Sequence, residues 1–188
     1  RPLLSAGAVL FGRPDLKSAG GRFDEEAFWQ IGWKGLEKWE QLSGRLPRSA
    51  SKAFPEGGWY IIRDSWDPDT DFAMFRSGPF GLGGEEHCAH AHCDLLSFVL
   101  WMKGVPLLVD SGSYIYHGPL RDHFRLTAAH NTVMVDGREQ AIPMLYFNWK
   151  NVPSAKCVAW NEKSVTGVMP ALDGFVHTRT LNHPQSGI

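Results

Sequence analysis

The sequence predicts a mainly β protein, an antiparallel β-sandwich preceded by a short segment of helix and linker. Short apolar runs rich in Val, Ile, Phe and Trp recur from residue 58 onward, with turn residues roughly every 8–12 positions between them. The pair Asp136-Gly137 follows one such run and is typical of a two-residue hairpin turn. Clear helical periodicity is confined to one segment near the N-terminus, so we expect one helix and many strands.

The N-terminal part is predicted to be mostly irregular. Residues 1–22 are rich in Gly and Pro, and we expect them to form loop and linker. Asp24 is a candidate helix cap, and apolar residues at helical spacing predict a helix over residues 25–42. Residues 45–58 carry prolines and paired glycines and are expected to be a second linker. Residues 1–57 therefore form a linker with one helix.

The β domain is predicted to cover residues 58–188, with its C-terminal end truncated inside an element. The apolar run 95–103 fits either a strand covered on both faces or a short helix. The histidine-rich segment before it has the alternation of a strand. The other predicted strands are residues 58–63, 72–76, 105–109, 114–116, 131–135, 155–160, 164–169 and 175–181.

Composition excludes several classes of partner. A chain of 188 residues is long enough for one sizeable domain, and a net charge of −1 argues against a nucleic-acid or anionic-membrane partner. The sequence has no apolar run of about 18 residues, so it predicts no membrane span. Aromatic residues make up 12% of the chain, which fits cross-strand pairs in a sandwich core or, alternatively, surfaces that stack on sugars.

Six of the eight histidines fall between residues 87 and 130. Within this stretch, His90, His92 and Asp94 alternate with other residues, so on a strand they would share one face, about 6–7 Å apart. Three titratable groups on one face fit a dry core poorly, because each needs a partner when buried. A metal site, a catalytic pair and a hydrogen-bonded turn remain open, and imidazole with carboxylate suits zinc. Cys93 is a weaker candidate ligand.

Two further residues lie at the ends of predicted strands. Asp110 ends an apolar run and is a candidate ligand or orienting group, although Asp before Ser-Gly also forms ordinary turns. His130 begins the next run and is a candidate site residue in a polar cluster. Asn131, which follows it, is expected to anchor a turn.

Phenols and guanidinium groups lie between these two positions. Tyr114 and Tyr116 are candidate acid/base groups, or core residues with a solvated hydroxyl. Arg121 and Arg125 are candidates for bidentate binding of a carboxylate or sulfate, with a solvated loop charge as the equal alternative.

A partial motif suggests one metal-binding fold. Gly84, His90 and His92 match the first half of the cupin metal motif. The glutamate expected after the second histidine is absent, and no second half follows. A cupin-like metal enzyme is therefore the least favoured alternative.

Three ordered blocks closely resemble the C-terminal β-sandwich domain of the heparinase II/III-like polysaccharide lyases. They are Ala89-His-Ala-His-Cys-Asp-Leu-Leu-Ser-Phe98, Gly104-Val-Pro-Leu-Leu-Val-Asp-Ser-Gly-Ser-Tyr114 and Phe124-Arg-Leu-Thr-Ala-Ala-His-Asn-Thr-Val133. The resemblance spans about residues 58–181 and implies a sandwich of the super-sandwich type. Ala89 and Cys93 are minor departures from the family pattern.

The resemblance also implies residue roles. His92, Asp110 and His130 match the family's zinc ligands, and His90 matches the histidine next to the substrate. Either Tyr114 or Tyr116 matches the active-site tyrosine of this domain. In this family the main base and acid lie mostly on an N-terminal α/α toroid, of which residues 1–57 would be a remnant.

The implied activity is β-elimination on a uronic-acid-containing polysaccharide, heparin-like, alginate-like or other. The expected partners are the acidic polymer and an upstream toroid domain, and the expected location is the periplasm, cell envelope or exterior. A carbohydrate-binding or purely structural sandwich without metal is the alternative function.

Overall fold

A computed structural model describes residues 2–84, 88–145, 147–170 and 174–183 of the chain. The chain divides into two compact units, Arg1–Arg48 and Ser49–Ile188. The second unit begins ahead of residue 58 because Lys52–Phe54 forms a strand that pairs with Trp59–Ile61. Among the described residues, no helix combines the length and apolar character needed to cross a membrane.

The first unit contains three helices, so the prediction of loop over residues 1–22 was wrong. Helix α1 covers Pro2–Phe11, α2 covers Pro14–Gly20 and α3 covers Glu25–Gln41. Except for Gly7 inside α1, the glycines and prolines that suggested a linker lie at helix ends, where proline fits the first turn and glycine the C-terminal turn. The predicted cap of α3 is present, since Asp24 Oδ1 accepts a hydrogen bond from the Ala27 amide at 3.1 Å.

The second unit consists of short antiparallel strands in three sheets. The five-stranded sheet has the order β1-β2-β3-β4-β5, the three-stranded sheet β10-β9-β8, and the two-stranded sheet β6-β7. The strands are β1 Lys52–Phe54, β2 Trp59–Arg63, β3 Phe72–Arg76, β4 Phe98–Met102, β5 Val105–Leu108, β6 Ile142–Met144, β7 Asn148–Lys150, β8 Lys156–Asn161, β9 Ser164–Pro170 and β10 Val176–Asn182.

This architecture is the predicted β-sandwich, because apolar side chains of the two larger sheets pack against each other. Phe75 on β3 and Val165 on β9 are fully buried, together with Leu95 and Leu96 from the segment before β4. Aromatic pairs such as Phe80 with Trp149 belong to this core. The sheets are open, and the closed barrel that a cupin requires is not formed by the described strands.

Two predicted strands are instead parts of a long loop between β5 and β6. Residues 114–116 are irregular, and residues 131–135 form only an isolated bridge between Val135 and Arg138 across the predicted Asp136-Gly137 turn. The loop also contains the short helix α4, Leu120–His123. The apolar alternation of residues 131–135 is typical of a strand, but none of the described strands pairs with this segment.

Strand β5 forms one edge of the five-stranded sheet. All four of its residues are exposed, and Pro106 lies within it. The chain leaves this edge at Val109 and enters the loop that carries Asp110.

Gly167 permits the close approach of β9 to the opposite sheet. A Cβ atom at this position would lie 2.5 Å from Leu96 Cδ2 and 2.9 Å from Phe75 Cε1, both in the core. We expect Gly167→Ala to lower the free energy of unfolding by about 1–3 kcal/mol, because an extra methyl group overpacks a filled core. Chemical denaturation measures this change.

Gly57→Ala is the matched control, since its added Cβ would meet only one side-chain atom within 4 Å, at 3.3 Å. A loss of stability no larger in Gly167→Ala than in Gly57→Ala would contradict the close packing of the two sheets.

Candidate functional site

The centre of the candidate site is a hydrogen-bonded pair, Asp110 and His130. His130 Nδ1 lies 2.6 Å from Asp110 Oδ2, and the His130 side chain is only 1% exposed. The Gly112 amide donates to the other carboxylate oxygen at 2.8 Å. Burial raises the pKa of the Asp110 carboxyl, but the His130 and Gly112 hydrogen bonds and the nearby imidazoles outweigh it and leave the pKa below its ordinary value.

His92 lies beside this pair. Its ring centroid is 5.2 Å from that of His130, and its side chain is half-buried. Burial is the largest cause that lowers the pKa of His92, followed by the neighbouring His130 imidazole, while Asp110 opposes the shift. A lowered pKa keeps the imidazole neutral, which is the form that binds a metal ion.

The donor chemistry of this trio fits zinc. Two imidazoles and one carboxylate are typical zinc ligands, and His130 Nε2 is buried with no hydrogen-bond partner among the described residues. The donor atoms of His92, Asp110 and His130 are farther apart than those of a preformed metal site. Among the described residues, one group of three His, Cys, Asp or Glu donors lies entirely within 4.8 Å, and that group is elsewhere in the fold. The trio is thus a bonded pair with a third imidazole alongside.

Two cavities adjoin the histidines. One, of about 90 Å³, is bounded by His90, His92, Tyr116 and the two arginines of the loop. The other, of about 660 Å³, extends past His90, His92 and Asp94 towards Trp59. His90 and His92 border both the small pocket and the larger cavity.

His90, His92 and Asp94 do share one surface, although they do not lie on a strand. Residues 88–97 are turns and irregular backbone. Gln140 provides the bonds that a strand neighbour would have made, because its side chain accepts from the Leu95 amide at 3.0 Å and donates to the Leu95 carbonyl at 2.9 Å. The predicted convergence was therefore correct, and the predicted backbone was wrong.

The two candidate tyrosines have different surroundings. The Tyr116 ring is stacked near the His90 ring at 5.8 Å with 27° between the planes. Tyr114 is 76% exposed, has a positive φ of 48°, and its ring contacts Phe124. Tyr116 therefore borders the pocket with His90, whereas Tyr114 is outside its lining.

Both candidate arginines are buried, and both border the small pocket. The Arg121 guanidinium lies 5.0 Å from the centre of the Phe147 ring and 3.8 Å from an Asp122 oxygen, and its side chain is 7% exposed. Arg121 Nη1 is buried and makes no hydrogen bond to any described residue. Arg125 lies over Trp149 and donates to Asp122 Oδ1 at 3.0 Å. The alternative of two solvated loop charges is therefore wrong.

Three residues that position the site were missed or underestimated in the sequence. Asn131, expected to anchor a turn, donates its Nδ2 to the carbonyls of Phe98 and Val109 at 3.1 and 3.0 Å and so fixes His130 beside the end of β5. Gln140 had no signal except its place after a hairpin turn. Phe147 contacts His90 and Tyr116, and its position in the sequence gave no indication of that.

Cys93 is not a suitable ligand in this arrangement. Its thiol is fully buried in the core and lies 3.7 Å from the Ala141 carbonyl oxygen. Burial raises its pKa to about 12, so the thiolate that binds metals is disfavoured. His87, a further histidine of the cluster, lies outside the described residues.

A model of the heparinase II/III-like, C-terminal family matches residues 46–187. Two relatives in sequence are a heparin-sulfate lyase from Bacteroides stercoris, 34% identical over 100 residues, and one from Pedobacter heparinus, 30% identical over 104 residues. The matches cover 50% and 53% of this chain, but only 14% and 15% of those proteins. The chain thus corresponds to a small part of these relatives.

Solved structures show the same fold. A heparinase III superposes with a TM-score of 0.60 at 24% identity, covering 82% of this chain and 23% of that one. The heparan sulfate lyase of Pedobacter heparinus gives 0.58 at 23% identity, with the same coverage of both chains. At these identities the likeness concerns the β-sandwich.

The titration of His92 tests the electrostatics of the site. We expect its pKa to fall further in Asp110→Asn, which removes a charge that raises it, and to rise in His130→Ala, which removes one that lowers it. NMR titration of the ring protons measures both changes. His177, whose pKa is lowered by burial and by Arg179, serves as the control and should not move. A His92 pKa that rises in Asp110→Asn and falls in His130→Ala would contradict the placement of His92 beside Asp110 and His130.

Proposed function

Because the chain belongs to the heparinase II/III-like C-terminal domain family, we propose that it is part of a lyase that cleaves a uronic-acid-containing polysaccharide by β-elimination. The supporting observation is the pocket in which His90 and Tyr116 lie beside the buried Arg121. A cation, an imidazole and a phenol in one concave site match the groups that this reaction needs.

The reaction places defined demands on the enzyme. A base removes the C5 proton of the uronic acid, and negative charge develops on the adjoining carboxylate. The C4–O4 bond then breaks, a C4–C5 double bond forms, and an acid protonates the leaving oxygen. No water is consumed, and the new chain end is an unsaturated sugar.

Arg121 is suited to the carboxylate in this scheme. Its guanidinium is held between an aromatic ring and Asp122, and the residue lines the pocket. A charged hydrogen bond to a carboxylate in such a desolvated place is stronger than one at the surface. A sulfate group would bind in the same way, so Arg121 serves heparin-like and other uronate polymers alike.

His90 and Tyr116 are the proposed acid/base groups that this wall of the cleft supplies. Their rings are stacked at the mouth of the pocket, so both can reach one bound sugar. The remaining catalytic groups would come from an upstream toroid domain, to which residues 1–57 would connect. Tyr114, which faces Phe124, has no part in this arrangement.

We also propose that His92, Asp110 and His130 bind Zn²⁺. When bound, the ion would supply fixed positive charge next to the pocket and join the two loop segments. The buried, unpartnered His130 Nε2 and the lowered pKa of His92 favour this proposal. The hydrogen bond between Asp110 and His130 Nδ1 already holds these two residues side by side.

An acidic polymer is too large to cross a membrane by diffusion, so we propose that the protein acts in the periplasm, the cell envelope or outside the cell. The competing function is a sandwich that binds carbohydrate or has a purely structural role, without metal. The exposed surface of Trp66 and similar aromatics would serve such binding.

Metal analysis separates these functions. We expect His92→Ala to lower the zinc bound per chain by one equivalent, since a neutral imidazole is lost from the ligand set. Elemental analysis after dialysis measures the content. His123→Ala is the control, because His123 lies on α4 with its ring against Phe124 and is not one of the proposed ligands. Unchanged zinc content in His92→Ala would contradict the zinc proposal.

Polymer binding tests the pocket. We expect the chain to bind heparan sulfate or another uronate polymer, and Arg121→Gln to weaken that binding at least about 10-fold through loss of a charged bidentate contact. Calorimetry measures the affinity. Lys150→Gln removes an exposed charge from β7 and should leave it nearly unchanged.

Mixtures of the chain with uronate polymer also test whether the catalytic groups of this chain are sufficient for cleavage. We expect no rise in absorbance at the unsaturated-uronate band, because the main base and acid would lie on the upstream domain. Turnover by these 188 residues alone would contradict that division.

A further inference from the structure

A second group of metal-type donors lies where the loop between β2 and β3 meets the end of β10. Asp64 directly follows β2, Asp71 directly precedes β3, and His183 directly follows β10. One donor atom from each residue lies within 4.8 Å of the others. Among the described residues, it is the one group of three such donors that is so compact.

The distances within this group are those of ligands around an ion. His183 Nε2 lies 3.2 Å from Asp64 Oδ2 and 3.7 Å from Asp71 Oδ2. Two atoms bound about 2.1 Å from a tetrahedral zinc ion are roughly 3.4 Å apart. The His130–Asp110 contact of 2.6 Å, by comparison, has the length of a direct hydrogen bond.

The imidazole nitrogen of His183 is close to the two carboxylates but has no hydrogen-bond partner among the described residues. His183 Nε2 is buried and makes no hydrogen bond to any described residue, although two carboxylate oxygens lie close to it. A buried nitrogen left without a bond costs free energy unless a ligand satisfies it. The three donor atoms are therefore close enough together to share one ligand.

Backbone contacts hold two of the donors in place. Asp71 accepts the Lys103 amide at 2.7 Å through Oδ1, which leaves Oδ2, the oxygen nearer to His183, free to bind. The His183 amide donates to the Lys163 carbonyl at 2.8 Å, so the residue stays fixed beyond the end of its strand. Such outer contacts are typical of metal ligands.

We propose that Asp64, Asp71 and His183 bind a divalent transition-metal cation of the zinc type. One imidazole with two carboxylates suits zinc better than calcium, which prefers oxygen ligands alone. Three protein ligands leave a fourth position for water. The ion ties the β2–β3 loop of the five-stranded sheet to β10 of the three-stranded sheet and so acts as a clamp between the layers of the sandwich.

The test uses a background in which the other candidate metal site is removed. In the double variant His92→Ala/His130→Ala, stripped of metal and then titrated with ZnCl₂, we expect one equivalent of zinc to bind and the melting temperature to rise. Adding Asp64→Asn should weaken zinc binding at least about 100-fold, since loss of a direct ligand costs at least as much as loss of an outer contact. Calorimetry and elemental analysis measure affinity and content.

Asp69→Asn is the matched control, because it makes the same substitution at an exposed position of the same loop. It should retain the bound zinc and the rise in melting temperature. Asp64 is itself exposed, so Asn at this position should fold normally. Co²⁺ in place of zinc should give visible absorption bands of a low-coordinate site that disappear in His183→Ala.

The proposal is overturned if the double variant binds no zinc, or if Asp64→Asn and Asp69→Asn bind it equally. The two metal proposals fail separately. If His92→Ala/His130→Ala binds no zinc, the proposed site at His92, Asp110 and His130 is still supported, and the proposed site at Asp64, Asp71 and His183 is contradicted. If the double variant keeps one equivalent of zinc and loses it when Asp64→Asn is added, the site at Asp64, Asp71 and His183 is supported, whether or not His92, Asp110 and His130 bind zinc.

Discussion

Side-chain hydrogen bonds from Asn131 and Gln140 hold the part of the chain that carries the candidate site. Residues 88–97 and most of residues 109–141 have no strand partner, so their buried backbone groups need other bonds. Asn131 links the start of β4 to the end of β5, and Gln140 holds both backbone groups of Leu95. Together with Arg179, which donates to the carbonyls of Leu96 and Asn131, these contacts hold the segments of His92 and His130 next to each other.

The electrostatic character of the site follows from this construction. Because the loops are packed and not extended over the surface, Arg121 and Arg125 are buried against aromatic rings, and His92 is partly desolvated. Desolvation strengthens every charged contact that a bound sugar would make. A solvated loop with the same residues would bind an acidic group only weakly, since water and salt would screen it.

Local patterns in the sequence were sufficient for some of the regular elements. Strands β2 and β3 were predicted to within a residue, because apolar alternation between turn residues depends on near neighbours alone. Helices α1 and α2 were missed because the glycines that end them, Gly12 and Gly21, made the segment look like a loop in composition. The run 131–135 was assigned to a strand, but its alternation could not reveal that no partner lies alongside.

The site was predictable in a different way. Spacing indicated that His90 and His92 act together, whereas the pairing of His130 with Asp110, twenty residues away in the chain, followed from the family resemblance. The burial of Arg121 depends on Phe147, and the role of Gln140 depends on Leu95. Both are long-range contacts, and periodicity and residue type carry no information about them.

Strand β5 has a consequence for the chain as a molecule in solution. It is an edge strand with four exposed residues, and an unpaired edge of this kind is a template on which a second chain can add a strand. Pro106 interrupts that template, because it has no amide hydrogen to offer an incoming strand. Strand β5, which leads to Asp110, therefore also disfavours pairing of this sheet edge with a second chain.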